Sequence, residues 1–274
     1  MVNIRHSLGN IESLLLKRLS LEGKNIFTTK DAWKITGSSL PATRLILNGL
    51  VEKRWLIRLA AGKYLIVPLS AGPEAEHSEN WYVIARNLIE PSEYYISHIS
   101  ALEVHDSTIQ PVYNIYISTP IRKRPKEALG ATFKFIYTPM DRIWGVEDNW
   151  VTPSEKVRVS DIERTIIDCL DRLDLCGGIT EVARALWTKR GDLDLGKLKS
   201  YVIRFDRQSV IKRLGYLLQL YGIAPDTLLQ ELKSLVSKSY ALLDPTLEDT
   251  GRFLSSWKIR VNLDPDEILN AAKT

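Results

Sequence analysis

Within its first seventy residues the chain spaces its helix starts, helix stops and one tight turn so closely that only short helices and a hairpin fit between them. Apolar residues at Ile11, Leu14, Leu15, Leu19 and Leu21 approximate a helical stripe, and Gly23 stands where that helix should stop. Thr28 is a suitable N-cap, with Asp31 three residues on, for a second short helix through Ala32, Trp33 and Ile35 to Gly37. Ser38-Ser39-Leu40-Pro41 supplies a third start, capping hydroxyls followed by a proline in the opening turn. The helix that follows, about Ala42 to Arg54, is expected to turn Ala42, Leu45, Ile46 and Leu50 toward the core and Arg44 and Asn48 to the opposite side. Trp55 to Leu59 and Tyr64 to Val67 then read as two strands around Ala60-Ala61-Gly62-Lys63, with Gly62 supplying the positive φ of the turn. Three helices and a hairpin describe a winged helix-turn-helix over residues 1–70.

Charge separates this segment from the remainder. Met1–Ser70 carries eleven Lys and Arg against four Asp and Glu, a balance of +7, whereas Ala71–Thr274 has twenty-six against twenty-nine, or −3. A basic module joined to a mildly acidic body points to a polyanion reader attached to something with another task. The third helix presents Ser38, Ser39, Thr43, Arg44 and Asn48 near its leading end, where a helix in a major groove meets base edges. Arg44 suits guanine and Asn48 suits adenine, each by a bidentate contact. Lys53, Arg54, Arg58 and Lys63 fall at the helix end and wing, where phosphates would lie. The competing reading is a solvated charged face on a protein-docking module.

A break at Ser70-Ala71-Gly72-Pro73-Glu74 marks the linker to a body spanning residues 71–274. There we expect a helix over Trp81–Leu88, a short strand or turn entering a helix across Tyr94–His105, strands over Asn114–Thr119 and Thr132–Tyr137, and a strand-like run Trp257–Val261 before an acidic tail segment. Ser160-Asp161-Ile162-Glu163 reads as a capping box with Ser160 at the N-cap. The helix it starts is followed by others at Glu181–Trp187, Leu195–Phe205, Gln208–Leu220 and Asp226–Leu242. The fold class is therefore α+β: an N-terminal winged helix-turn-helix, then a larger mixed α/β-plus-helical C-terminal domain.

No catalytic site is legible. His98, Ser100, His105 and Asp106 lie close in sequence, but no G-x-S-x-G surrounds Ser100, and structural histidines are the commoner outcome. Asp161, Glu163, Asp168, Asp171 and Asp174, with Arg164 and Arg172 at salt-bridge spacing, read as a solvated helix face. Cys169 and Cys176 lie about 10 Å apart along a continuous helix, too far for a disulfide, and without neighbouring histidines they make a poor metal site. Both are expected to be small buried hydrophobes. No metal and no cofactor is expected. The basic loop Arg122, Lys123, Arg124 and Lys126 is an exposed hairpin tip or else a second nucleic-acid contact. Nothing approaches the roughly 20 consecutive apolar residues of a membrane span, and the N-terminus lacks a secretory pattern, so a cytoplasmic protein is the default.

Four segments in order resemble the AbiEi-like antitoxins of type IV toxin–antitoxin (abortive infection) systems. They are the winged helix running into Trp55–Pro68, then Tyr95–Leu102 through His105, then Ser160–Leu170 with Gly177-Gly178 and Glu181–Leu186, and last Lys212–Leu218. The resemblance implies a dual role without enzymatic activity. The winged helix represses its own operon at inverted repeats in double-stranded DNA, which calls for two copies on the site. The body counteracts a nucleotidyltransferase-like toxin, without requiring a stable complex. Here the wing departs from the family: Ala60-Ala61 leaves Lys63 nearly alone where an arginine-rich tip is usual. Two other functions compete: a stand-alone winged-helix regulator whose C-terminal domain senses a ligand or protein, and an enzyme acting through His98, His105 or the acidic helix.

Overall fold

The computed structural model describes residues 7–67, 80–89 and 92–272. They form two units by internal contacts, Met1–Glu90 with Glu127–Gly130, and Pro91–Lys126 with Ala131–Thr274. The smaller unit thus continues past residue 70, and the expected linker at Ser70–Glu74 lies outside the described residues.

In the smaller unit the order is α1 (Asn10–Leu21), β1 (Ile26–Thr28), α2 (Thr29–Thr36), α3 (Leu40–Glu52), β2 (Leu56–Ala60), β3 (Lys63–Ile66) and α4 (Trp81–Ile89). The expected stops operate as read. Gly23, at φ +66°, ends α1 with Lys24 N–H on the Leu19 carbonyl (3.0 Å) and its own N–H on Ser20 (3.1 Å). Thr28 and Asp31 cap α2 reciprocally: the Thr28 N–H donates to Asp31 Oδ2 (2.8 Å) and the Asp31 N–H donates to Thr28 Oγ1 (3.2 Å). Ser39 caps α3 and Pro41 sits in its first turn. Gly62, at φ +71°, makes the hairpin turn.

Strand β1 was not anticipated; it pairs antiparallel with β3, giving the sheet order β1-β3-β2. The buried faces also differ from the expected stripes. Helix α1 buries Leu15, Leu16 and Leu19 and leaves Ile11, Leu14 and Leu21 exposed. Helix α3 buries Thr43, Leu47 and Leu50, while Leu45 is 73% exposed. These residues, with Phe27, Ala32, Leu56 and Tyr64, make the core of this unit.

The larger unit opens with β4 (Tyr95–Ile96), α5 (His98–Val104) and β5 (Asn114–Thr119) and continues, past β6 (Lys126–Ala128), whose Glu127 and Ala128 count with the smaller unit, to β7 (Ala131–Tyr137), β8 (Val146–Thr152) and β9 (Glu155–Ser160). Within the larger unit the strands lie in the order β7-β5-β4-β9-β8. Because β5 and β7 are parallel, the basic segment after β5 belongs to a crossover rather than to the hairpin tip expected there. The β8–β9 hairpin was not anticipated: β8 carries Glu147, Asp148 and Asn149 among its few β-favouring residues and buries none of them.

Helices α6 (Ile162–Asp171), α7 (Ile179–Lys189), α8 (Leu195–Phe205), α9 (Gln208–Tyr221) and α10 (Asp226–Ser234) follow. They pack one core, which also receives Trp257 and Ile259. Three corrections arise here. Asp161, not Ser160, caps α6, accepting from the Arg164 N–H (2.8 Å); Ser160 ends β9, its hydroxyl on Thr165 Oγ1 (2.7 Å). Helix α10 stops at Ser234 instead of reaching Leu242, because the serines beyond it are claimed by side chains of α9. Gln208 Oε1 accepts from the Ser237 N–H (2.7 Å) and Lys212 Nζ donates to the Ser239 carbonyl (2.6 Å). Third, the acidic residues of the tail start a helix, α11 (Pro265–Ala271), after the small sheet of β10 (Ala241–Leu242), β12 (Ile259–Val261) and β11 (Arg252–Leu254).

Nor is the acidic series on α6 a solvated face. Asp161, Glu163 and Asp168 are buried. Lys197 Nζ lies 3.3 Å from Asp161 Oδ2 and 2.8 Å from Glu163 Oε2, and Arg164 bonds Asp168. The two cysteines are buried and unbridged, as small hydrophobes. Because α6 ends at Asp171 and a 3-10 turn follows at Leu173–Leu175, the two do not stand on one continuous helix.

Candidate nucleic-acid interface

Helix α3 turns one continuous face outward, because burial of Thr43, Leu47 and Leu50 rotates positions 41, 44, 45, 48 and 52 away from the core. Arg44 and Asn48 share that face, as expected, and both are exposed. They line a concavity of about 540 Å³ together with Arg58 of β2, Thr29 of α2, Gly62 of the turn and Tyr64 of β3. Thr29 anchors the turn to α2, its N–H donating to the Gly62 carbonyl (2.8 Å). The Tyr64 ring is buried, stacks on Phe27 at 5.8 Å between centroids, and carries the Arg58 guanidinium 5.9 Å above it. Arg58 is thereby held beside α3 while its charge stays in solvent.

The other predicted contacts divide. Ser39 is exposed but occupied at the cap, its Oγ 3.4 Å from the Ala42 N–H, and Ser38 is half-buried. Thr43 is not at the surface. It is fully buried, its hydroxyl donating to the Ser39 carbonyl (3.1 Å) and bonding Thr36 Oγ1 (3.2 Å), which removes it from the contact set. Lys53 is committed to Glu12 of α1 at 2.7 Å. Partial burial of Glu12 works to raise its pKa, but the Lys53 ammonium and the Gly9 N–H outweigh it and hold the carboxyl below its usual range. Lys63 donates to the Asn87 carbonyl. Arg54 is exposed just past the end of α3, at φ +62°.

Sequence reasoning missed Leu45, Thr29 and Tyr64. For Leu45 the signal was present: it lies between Arg44 and Asn48 and shares their face by helical spacing.

The tempting cluster in the larger unit does not assemble as a hydrolase. Ser100 Oγ donates to the Asn114 carbonyl (3.2 Å) and accepts the Tyr116 N–H (2.9 Å), tying α5 to β5. His105 Nε2 pairs with the Ser160 carbonyl (2.7 Å), and Asp106 is exposed. Among the described residues no group of three or more His, Cys, Asp or Glu could hold a metal ion. None of their helices is long and apolar enough to cross a membrane. Arg122, Lys123, Arg124 and Lys126 are all exposed, with Arg122 over the Tyr137 ring (4.5 Å) and Lys123 over Phe135 (5.0 Å).

No family model matches the chain, and no curated protein matches it. Among solved structures it is similar to the crystal structure of the RV2827C protein from Mycobacterium tuberculosis. The TM-score is 0.77 at 14% identity, and the match covers 100% of this chain and 98% of that one. At that identity the likeness establishes the α+β fold alone.

Proposed function

We propose that the smaller unit is a winged helix that reads double-stranded DNA through α3, and that the chain is an autorepressing antitoxin opposing a nucleotidyltransferase-like toxin. The observation that carries the DNA half is the sharing of one concavity by Arg44, Asn48 and Arg58 on a module of charge +7. Arg44 suits the O6 and N7 acceptors of guanine, Asn48 the adenine edge, and exposed Leu45 the thymine methyl. Exposed Arg54 and Arg58 supply charge for phosphates, and Ser38 and Ser39 add hydroxyls at the helix start. Two copies on an inverted repeat give each its own half-site.

The antitoxin half is supported by the four sequence segments that resemble the AbiEi-like family. A gel-shift titration with the duplex upstream of its own gene, at several salt concentrations, tests the first half. We expect a shift that competing unrelated duplex removes less readily, with affinity falling linearly in log salt. Coexpression with a neighbouring nucleotidyltransferase-like gene tests the second: growth arrest is relieved by the antitoxin and persists beside a stand-alone regulator.

A further inference from the structure

Four arginines, Arg142, Arg164, Arg172 and Arg207, line one cleft of about 390 Å³ in the larger unit. Asp168 and Asp171 line it with them, so the wall carries four positive charges against two negative. Arg164 forms the floor: it is buried, donates from Nε to Asp168 Oδ1 (2.8 Å) and from Nη2 to the Tyr95 hydroxyl (3.1 Å), and stacks 3.9 Å from the Trp144 ring. The other three stand at the rim in solvent. Arg172 forks onto Asp174 (2.8 and 2.7 Å), an exposed pair that an incoming anion can displace at little cost, and Arg207 stands loosely beside half-buried Asp171 (3.4 Å) with its own guanidinium in solvent. Arg142 rests on Phe205 (5.6 Å) and has no acidic partner among the described residues.

A second observation points into the same space. His98 is only 4% exposed and lines the cleft. Its Nδ1 lies 2.8 Å from Ser97 Oγ, which accepts from Ser118 Oγ (2.9 Å). With the Ser97 hydroxyl proton directed to Nδ1, the neutral ring carries its own proton on Nε2. No group among the described residues bonds that Nε2. That N–H opens into the cleft beside the guanidinium groups with no protein acceptor among the described residues, and an oxyanion supplies one.

We infer that this cleft binds the phosphoryl group of a small phosphate ester, with Arg142, Arg172 and Arg207 on its oxygens and the His98 Nε2–H as the deepest donor. Guanidinium groups converging from three chain segments suit a tetrahedral dianion better than a carboxylate, which a single fork satisfies. Ile136, Tyr137, Pro139 and Phe205 give the remainder of the ligand an apolar wall, and the volume limits it to nucleotide or sugar-phosphate size. This site does not rest on the DNA-binding reading.

Calorimetric titration of the full chain with adenosine monophosphate, glucose 6-phosphate, adenosine and a 5′-phosphorylated single-stranded hexanucleotide tests it. We expect saturable heat from at least one of the two esters with Kd below about 1 mM, none from adenosine, and binding at least about tenfold weaker in Arg142→Ala. Lys238→Ala, exposed and outside the cleft, should bind like the parent. Arg142 is itself at the surface, so its variant folds even where His98→Gln does not. The proposal is overturned by absence of saturable heat from both esters at about 10 mM, or by Arg142→Ala binding as the parent does. Hexanucleotide binding about tenfold tighter than either ester would replace it with an extended nucleic-acid groove.

Discussion

The Trp257 indole lies against the backbone of Gly215 so closely that a Cβ there would come within 2.1 Å of Cζ3. Trp257 is 1% exposed, and its Nε1 donates to Gln219 Oε1 one turn further along α9 (2.7 Å). The ring therefore cannot swing aside without losing both its packing and that bond. We expect Gly215→Ala to destabilise the larger unit by about 2 kcal/mol or more through overpacking. Urea unfolding followed by tryptophan fluorescence measures it; an unchanged midpoint would show that the indole yields freely.

Thr43 lends itself to a test that separates core from interface. Its hydroxyl makes two bonds inside the smaller unit, to Thr36 and to the Ser39 carbonyl, so Thr43→Val should lower stability by about 1 kcal/mol. DNA affinity, measured well below the melting temperature, should stay within twofold of the parent. A specific loss of affinity with stability intact would return Thr43 to the contact set.

The positions that misled the sequence reading have physical reasons. On α3 two stripes at helical spacing were available, one through Ala42, Leu45 and Ile46 and one through Thr43 and Leu47, with Leu50 common to both. Hydropathy favours the first. The second is realised because buried Thr43 finds hydroxyl and carbonyl partners in half-buried Thr36 and in Ser39, a pairing that periodicity does not encode. Capping residues and glycines acted locally, so Gly23, Thr28, Ser39 and Gly62 were legible. The basic residues were legible only as charge. That Lys53 meets Glu12 forty-one positions away, while Arg58 remains in solvent over Tyr64, is a tertiary fact. The same holds on α6, where buried Asp161 and Glu163 find Lys197 on α8. Much of what carried the family resemblance proves structural: Lys212 and Arg213 bind backbone carbonyls, and Gly215 makes room for Trp257.

Arg44 and Arg58 should fail in different ways. If α3 reads DNA as proposed, Arg44→Ala removes a bidentate base contact, and we expect about 1–3 kcal/mol lost on the operator and little on unrelated duplex. On the same proposal Arg58→Ala removes a phosphate contact. It should weaken both duplexes alike and reduce the slope of log affinity against log salt by about one unit. Gel shifts at three or more salt concentrations distinguish them; equal behaviour of both variants would displace α3 from the groove.

Acid should destabilise the larger unit through His98. Burial pulls the pKa of this imidazole down to about 3, with Arg172 and Arg164 acting in the same direction and Asp174 against them. The native ring stays neutral, while in the unfolded chain it takes up a proton near pH 6.5. The unfolded state therefore binds more protons across the window from about pH 6.5 down to about pH 3. Stability contributed by the neutral ring is fully present above that window and is lost as pH falls through it, by up to about 1.4 kcal/mol per pH unit. His98→Gln removes this slope, whatever it costs at neutral pH. Urea midpoints at pH 7 and pH 5 for parent and variant give the comparison, and the parent should lose about 2 kcal/mol more than the variant between them. Equal acid sensitivity in the two proteins would mean that the imidazole already exchanges protons with the cleft in the folded state.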